Sequence, residues 1–280
     1  MNRIALITGT SSGVGLSTTV LLAQSGFTVV ATMRNLEKRN PLETRAKTEN
    51  VTLDVRRLDV QDAASIAECV NSVVRDYGRI DVLVNNAGAG YLGTLEQTSI
   101  DDLNQTMDVN FFGVWRVTQA VLPLMRSAGS GRIITVTSVG GLIGHPFNDA
   151  YCAAKFAVEG FMESLAPVVK RLGICVSLIE PGAINTEFVA SVLETRANLQ
   201  QPVPEAYSKM LDAYLAATEQ VFATIGQTGD DIAKVITEAA TADVPHFRYQ
   251  TSDLIRGLVS SKYVDPTGDS VVEFSGDRLP

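Results

Sequence analysis

Seven short apolar runs, most of them closed by a small or polar residue, recur along the 280 residues, and most of the stretches between them are longer and have helical periodicity. Strands buried on both faces of a parallel sheet read as near-continuous apolar runs, and each parallel pair needs a crossover long enough to hold a helix. The runs lie at 3–8, 28–33, 52–58, 81–85, 132–137, 174–179 and 246–250. Helical periodicity is expected at 15–25, 62–77, 100–127, 151–172 and 230–241. This alternation predicts an α/β fold with a doubly wound, seven-stranded parallel sheet. Residues 187–227 break the pattern, with helical periodicity, no strand, and the prolines Pro202 and Pro204, so they are expected to form an inserted helical lid. No repeat or low-complexity linker divides the chain, which is therefore expected to be one domain spanning 1–280.

A 45% hydrophobic content is enough for one large core, and the net charge of -8 disfavours nucleic acid and anionic membrane surfaces as partners. No run approaches the ~20 apolar residues of a membrane span. The opening MNRIALITGT has too short an apolar stretch for a secretion signal, so a cytoplasmic protein is expected. Cys69, Cys152 and Cys175 sit in apolar or helical contexts and read as reduced packing residues.

Thr8-Gly9-Thr10-Ser11-Ser12-Gly13-Val14-Gly15 follows the first run and opens a helical pattern. Glycines on a strand-to-helix turn let the backbone approach a diphosphate, and a helix N-terminus offers free N–H groups and partial positive charge. An acidic residue at the end of the second strand would bind a ribose 2′-hydroxyl and repel a 2′-phosphate. Here the strand ends Ala31-Thr32-Met33-Arg34, with no acid. Arg34, with Ser11 or Ser12, is suited to a 2′-phosphate, which favours NADP(H) over NAD(H). A solvated strand-end arginine is the other reading of Arg34.

Tyr151 and Lys155 are four residues apart and share one helical face. A free phenol, with pKa near 10, is a poor acid/base at neutral pH. An ammonium ~4 Å away at an effective dielectric of ~20 would favour the phenolate by ~4 kcal/mol, about three pKa units, and poise Tyr151 near 7. Ser138 ends the Ile133–Thr137 run at the C-terminal edge where open α/β sheets bind ligands, and its hydroxyl is placed to hold a carbonyl oxygen against Tyr151. Asn85-Asn86-Ala87-Gly88 ends the preceding run at the same edge, and Asn110 lies in a helical pattern passing beneath it.

The glycine loop, Asn85-Asn86-Ala87-Gly88, Asn110, Ser138, Tyr151-x3-Lys155 and Pro181-Gly182-x3-Thr186 resemble, in order and spacing, the short-chain dehydrogenases/reductases over essentially the whole chain. The resemblance implies a Rossmann-type sheet, homodimers or homotetramers built by helix pairing, and no metal. It further implies that Tyr151 moves the proton, that Lys155 lowers its pKa and binds the nicotinamide ribose, that Ser138 orients the carbonyl, and that Asn110 holds a relay water. By the same resemblance Asp59 and Val60 contact adenine, Asn86, Ala87 and Gly88 line the adenosine side, and Pro181, Gly182 and Thr186 hold the nicotinamide end.

The segment from Ser138 to Tyr151, with Arg248-Tyr249 and Asp265-Pro266-Thr267-Gly268, is similar to the 17β-hydroxysteroid and photoreceptor-type retinol dehydrogenases of that family. This implies a lipophilic alcohol or carbonyl substrate under the lid. Lys209 stands about where the estrogenic members carry a lid histidine. His145 fits a substrate-pocket residue and a solvated loop residue equally well. A catalytically silent nucleotide sensor on the same fold, or a reductase of small non-steroid carbonyls, is the alternative to a steroid- or retinoid-like activity.

Overall fold

A computed structural model describes residues 2–197, 199, 201–262 and 264. The seven strands are β1 (Ile4–Thr8), β2 (Thr28–Met33), β3 (Asp54–Arg57), β4 (Val82–Asn85), β5 (Gly131–Val136), β6 (Ile174–Glu180) and β7 (Arg248–Gln250). All neighbours are parallel, in the order β3-β2-β1-β4-β5-β6-β7. The chain builds outward from β1 through β2 to β3, then returns to β1's other side for β4. The connections after β1 and β4 therefore lead to helices on opposite faces of the sheet and open a crevice at the C-terminal edge.

Alternation along β1 sorts the core. Leu6 faces a layer with Val30, Leu83, Ile133 and Leu178 under α3 (Ala63–Tyr77), α5 (Gly113–Ala128) and α6 (Asp149–Lys170). Ala5 and Ile7 face the opposite layer with Val29, Val82, Val84 and Ile179. That layer is covered by α1 (Gly13–Gln24) and α9 (Gly229–Thr241), which pack side by side. Both faces of β1 are buried, as its uninterrupted apolar run requires.

The expected helix at 100–127 is interrupted. It comprises α4 (Ile100–Met107), a π turn (Asp108–Phe112) and α5. Three further helices surround the sheet edge: α7 (Glu187–Ala197) and α8 (Glu205–Ile225) form the 187–227 insertion, and α10 (Asp253–Lys262) follows β7. A short helix α2 (Asn40–Thr48) fills the β2–β3 connection. β3, β4 and β7 are shorter than expected, because Thr52, Asp81 and His246 precede the paired residues.

Candidate active site

The glycine loop is folded for close backbone approach. Gly9 (φ +72°) and Gly13 (φ +54°) occupy the left-handed region, where L side chains are strained. A Cβ on Gly9 would lie 2.7 Å from Ala87 Cα, so the loop after β1 is pressed onto the loop after β4. Asn86 staples the two, donating from Nδ2 to the Thr8 and Gly9 carbonyls at 2.9 Å each, while Thr8 Oγ1 accepts from the Asn86 and Ala87 amides at 3.0 Å. Gly13 faces Thr186, whose Cβ would lie 3.2 Å from a methyl there, and this brings the 181–186 segment over the same loop.

At the N-terminus of α1, Ser12 is the cap residue but its side chain makes no capping bond, and the first turn has no acidic residue. The first N–H groups and the dipole are thus left for an anion, which is the donor set a cofactor diphosphate requires. Val14 and Gly15 complete this turn. Arg34 is exposed immediately beyond β2, and Met33 beside it is in register with Arg57, so two cations flank this edge of the sheet. In the stretch after β3, Asp59 Oδ1 accepts from Gln61 N at 3.1 Å, and buried Val60 packs on Gly113.

Ser138 lies two residues past β5 rather than on it, capping a one-turn 3-10 helix by accepting from Gly140 N at 3.0 Å. Its Oγ, Tyr151 Cε1 and His145 Cδ2 each lie 3.4 Å from the position a Gly140 Cβ would take, so these three side chains converge on one point. The Ser138 hydroxyl is also near enough to the Tyr151 phenol to favour its ionised form. Lys155 is 5% exposed, sits 5.7 Å from the Tyr151 ring centre and donates to the Val136 carbonyl at 3.1 Å.

The expected tuning of Tyr151 to near 7 is corrected. Burial pushes the phenol up to about 12, and the Ser138 hydroxyl offsets this only in part. Burial also pushes Lys155 down to about 8. Desolvation outweighs the attraction because the ammonium turns toward a carbonyl instead of the phenol oxygen. At neutral pH this site presents an un-ionised phenol, which is a proton donor.

Asn110 lies in the π turn and is fully buried. Its amide exchanges bonds with Ala89, accepting from N at 3.2 Å and donating to O at 2.8 Å, and donates again to Thr106 O at 2.9 Å. The side chain therefore braces the loop after β4. A methyl on Gly88 would lie 2.9 Å from Asn110 Oδ1 and 3.7 Å from Lys155 Nζ, which ties this loop to the lysine. Pro181 is joined to the Ser138 turn through its carbonyl, which accepts from Val139 N at 2.8 Å, and Gly182 packs against Ile255 of α10.

Two features escape the sequence reading. Phe188 of α7 lies 6.0 Å from the Tyr151 ring, and Val192 approaches Gly90, which has no side chain to obstruct it. Phe147, between His145 and Tyr151, takes a left-handed φ of +61° and is held there by Tyr214, Leu92 and Leu211. Nothing in the sequence around Phe188 hints at its aromatic partner 37 positions earlier. Lys209 is exposed on α8. Asp265 to Gly268 lie outside the described residues. The three cysteines are free thiols. Among the described residues there is no membrane-spanning helix and no cluster suited to a metal.

A family model described as short chain dehydrogenase matches residues 3–197. Retinol dehydrogenase 8 from Bos taurus is 42% identical over 279 residues, covering 98% of this chain and 89% of the relative. Human 17-beta-hydroxysteroid dehydrogenase type 1 is 40% identical over 275 residues, covering 96% of this chain and 83% of that protein. Among solved structures, a variant of actinorhodin polyketide ketoreductase with NADPH superposes with a TM-score of 0.74 at 29% identity, covering 89% of this chain and 95% of that one.

Proposed function

The chain belongs to the short-chain dehydrogenases, and from that premise we propose that it is an NADP(H)-preferring oxidoreductase interconverting a lipophilic alcohol with its ketone or aldehyde, with Tyr151 moving the proton. The observation that carries this reading is the convergence of Ser138, Tyr151 and His145 on one point, with buried Lys155 beside the tyrosine and the open N-terminus of α1 at the same sheet edge.

Gly9, Ser11, Ser12, Gly13, Val14 and Gly15 hold the diphosphate. Asp59, Val60, Asn86, Ala87 and Gly88 line the adenosine, and Lys155, Tyr151, Pro181, Gly182 and Thr186 hold the nicotinamide end. The nicotinamide, when bound, supplies or accepts the hydride. In the reducing direction, Ser138 Oγ orients the substrate oxygen and the un-ionised Tyr151 donates its proton to it. Lys155 stabilises the phenolate left behind, and Asn110 positions the relay that restores the proton. Because Lys155 must be charged for this, kcat/KM for reduction is expected to fall as pH rises through about 8, the value to which burial pushes the lysine. A pH–rate profile checks this, and a rate flat across that range contradicts it.

Leu92 and Phe147 pack with Leu211 and Tyr214 of α8 and so seat the insertion, while Phe188 of α7 lies beside Tyr151; that aromatic neighbour, with the likeness to retinol and hydroxysteroid dehydrogenases, supports a steroid- or retinoid-like substrate. His145 is read as a substrate contact. A panel of steroid ketones, retinal and small ketones, assayed with NADPH and NADH, tests the activity. Turnover confined to small ketones would remove the lipophilic assignment.

The cofactor preference rests on Arg34. Losing one charge-assisted bond costs roughly 1.5 to 3 kcal/mol, so Arg34→Asp is expected to weaken NADPH binding by about tenfold to more than a hundredfold while sparing or improving NADH binding. Dissociation constants for both cofactors at fixed ionic strength check this. Equal losses for the two would leave Arg34 an ordinary strand-end residue.

We read the chain as one catalytic domain, cytoplasmic, acting as a homodimer or homotetramer. Support for self-association comes from an aromatic patch on the π turn, α5 and α6, where Trp115 stacks 4.4 Å from Phe161 and both Trp115 and Phe112 are exposed.

A further inference from the structure

We propose that Glu159 is a positioning residue for Lys155: one helical turn further along α6, its buried carboxylate, shared through Arg248 with two other carboxylates, keeps the lysine ammonium charged near the Tyr151 ring. The inference rests on the reading above that Lys155 acts with Tyr151.

Glu159 and Lys155 are both at least nine-tenths buried and four residues apart on one helix face. Glu159 Cγ and the Lys155 carbonyl both crowd Gly141, each 3.0 Å from the position of a Cβ there, so the carboxylate stem packs directly behind the Ser138 turn. On its far side Glu159 is paired with Arg248 of β7. The same guanidinium reaches Glu180 at 2.6 Å and Glu163 at 2.6 Å, and Gln250 donates to Glu180 as well. One cation shared by three carboxylates cannot neutralise them all. Glu159 thus keeps negative charge that acts on the two lysines at this end of α6: Lys155, and Lys262 of α10, which lies over Phe156 and bonds the Leu142 carbonyl.

The charged groups facing Glu159 are thus Lys155 and Glu163 on α6, Glu180 on β6, Arg248 on β7 and Lys262 on α10. Burial pushes Glu159 up to about 7, so it is ionised above that pH, the range in which Lys155, held down near 8 by burial, would otherwise lose its proton. Glu159 raises Lys155, and its removal therefore moves the loss of the ammonium to lower pH.

The test compares wild type, Glu159→Gln and Glu180→Gln by two pH profiles, one of kcat/KM for carbonyl reduction and one of the NADPH dissociation constant. Glu159→Gln is expected to move the alkaline limb of both profiles down by about one pH unit, which means roughly a tenfold loss at pH 9 and less than twofold at pH 6. Glu180→Gln, which removes a carboxylate of the same cluster that does not act on Lys155, is expected to leave both limbs in place. A loss in Glu159→Gln that is uniform with pH, or an equal shift in Glu180→Gln, overturns the proposal and leaves the cluster a structural strut. If Glu159→Gln does not fold, Glu159→Asp keeps the charge and is expected to retain the wild-type limbs, and a limb moved by a unit there overturns it equally. Activity remaining in Tyr151→Phe would instead defeat the underlying mechanism.

Discussion

Tyr151→Phe is expected to lower turnover by roughly 10²- to 10⁴-fold while leaving the NADPH dissociation constant within about twofold of wild type. The substitution deletes one oxygen and the transferable proton, and keeps the ring that packs beside Phe188. Ser138 is left able to hold a substrate oxygen but carries no proton suited to neutralise it. The buried phenol is un-ionised at neutral pH, so the damage to reduction should be present across the whole neutral range instead of appearing at one end of a titration. Single-turnover rates and fluorescence titrations on the purified variant check both halves. Turnover within about tenfold of wild type would remove Tyr151 from the chemistry.

Gly15→Ala is expected to have the largest effect on the folded state. An added Cβ would lie 2.2 Å from the Gly9 carbonyl oxygen and 2.5 Å from Asn86 Nδ2, and neither can retreat easily. Gly9 is pinned against Ala87 in a left-handed conformation, and Asn86 is held by two carbonyls. Overpacking of this kind typically costs about 1–3 kcal/mol, and for a chain of this size each kcal/mol lowers Tm by about 2–4 °C. Because the displaced atoms belong to the loop proposed to cradle the diphosphate, cofactor affinity should fall with stability. Thermal denaturation with and without NADPH measures both. An unchanged Tm together with unchanged affinity would mean that the loop is not the rigid cradle described.

The alternation of apolar runs made the seven-stranded parallel sheet legible, because a strand buried on both faces has few other ways to appear in sequence. Positions where chemistry is carried by backbone, such as Gly9, Gly13 and Gly15, were legible because only glycine tolerates their conformation or their neighbours. The π turn around Asn110 was not, since an extra residue in a helical turn hardly disturbs a 3.6-residue pattern. The ionisation of Tyr151 was not legible either, because spacing fixes how close Lys155 can come but not where its ammonium points, and burial is invisible in the spacing. The Glu159–Arg248 pair joins residues 89 positions apart, and nothing local in either segment announces the other.

The central claim is that this protein moves hydride between a nicotinamide and a carbonyl carbon. NADPH carrying deuterium at its transferable position, incubated with a ketone or aldehyde accepted in the substrate panel, tests it directly by mass spectrometry of the alcohol formed. One deuterium on the carbinol carbon, with one cofactor oxidised per alcohol, is the result expected. Saturable NADPH binding with no labelled alcohol from any carbonyl in the panel would contradict it and leave a protein that binds the nucleotide without using it.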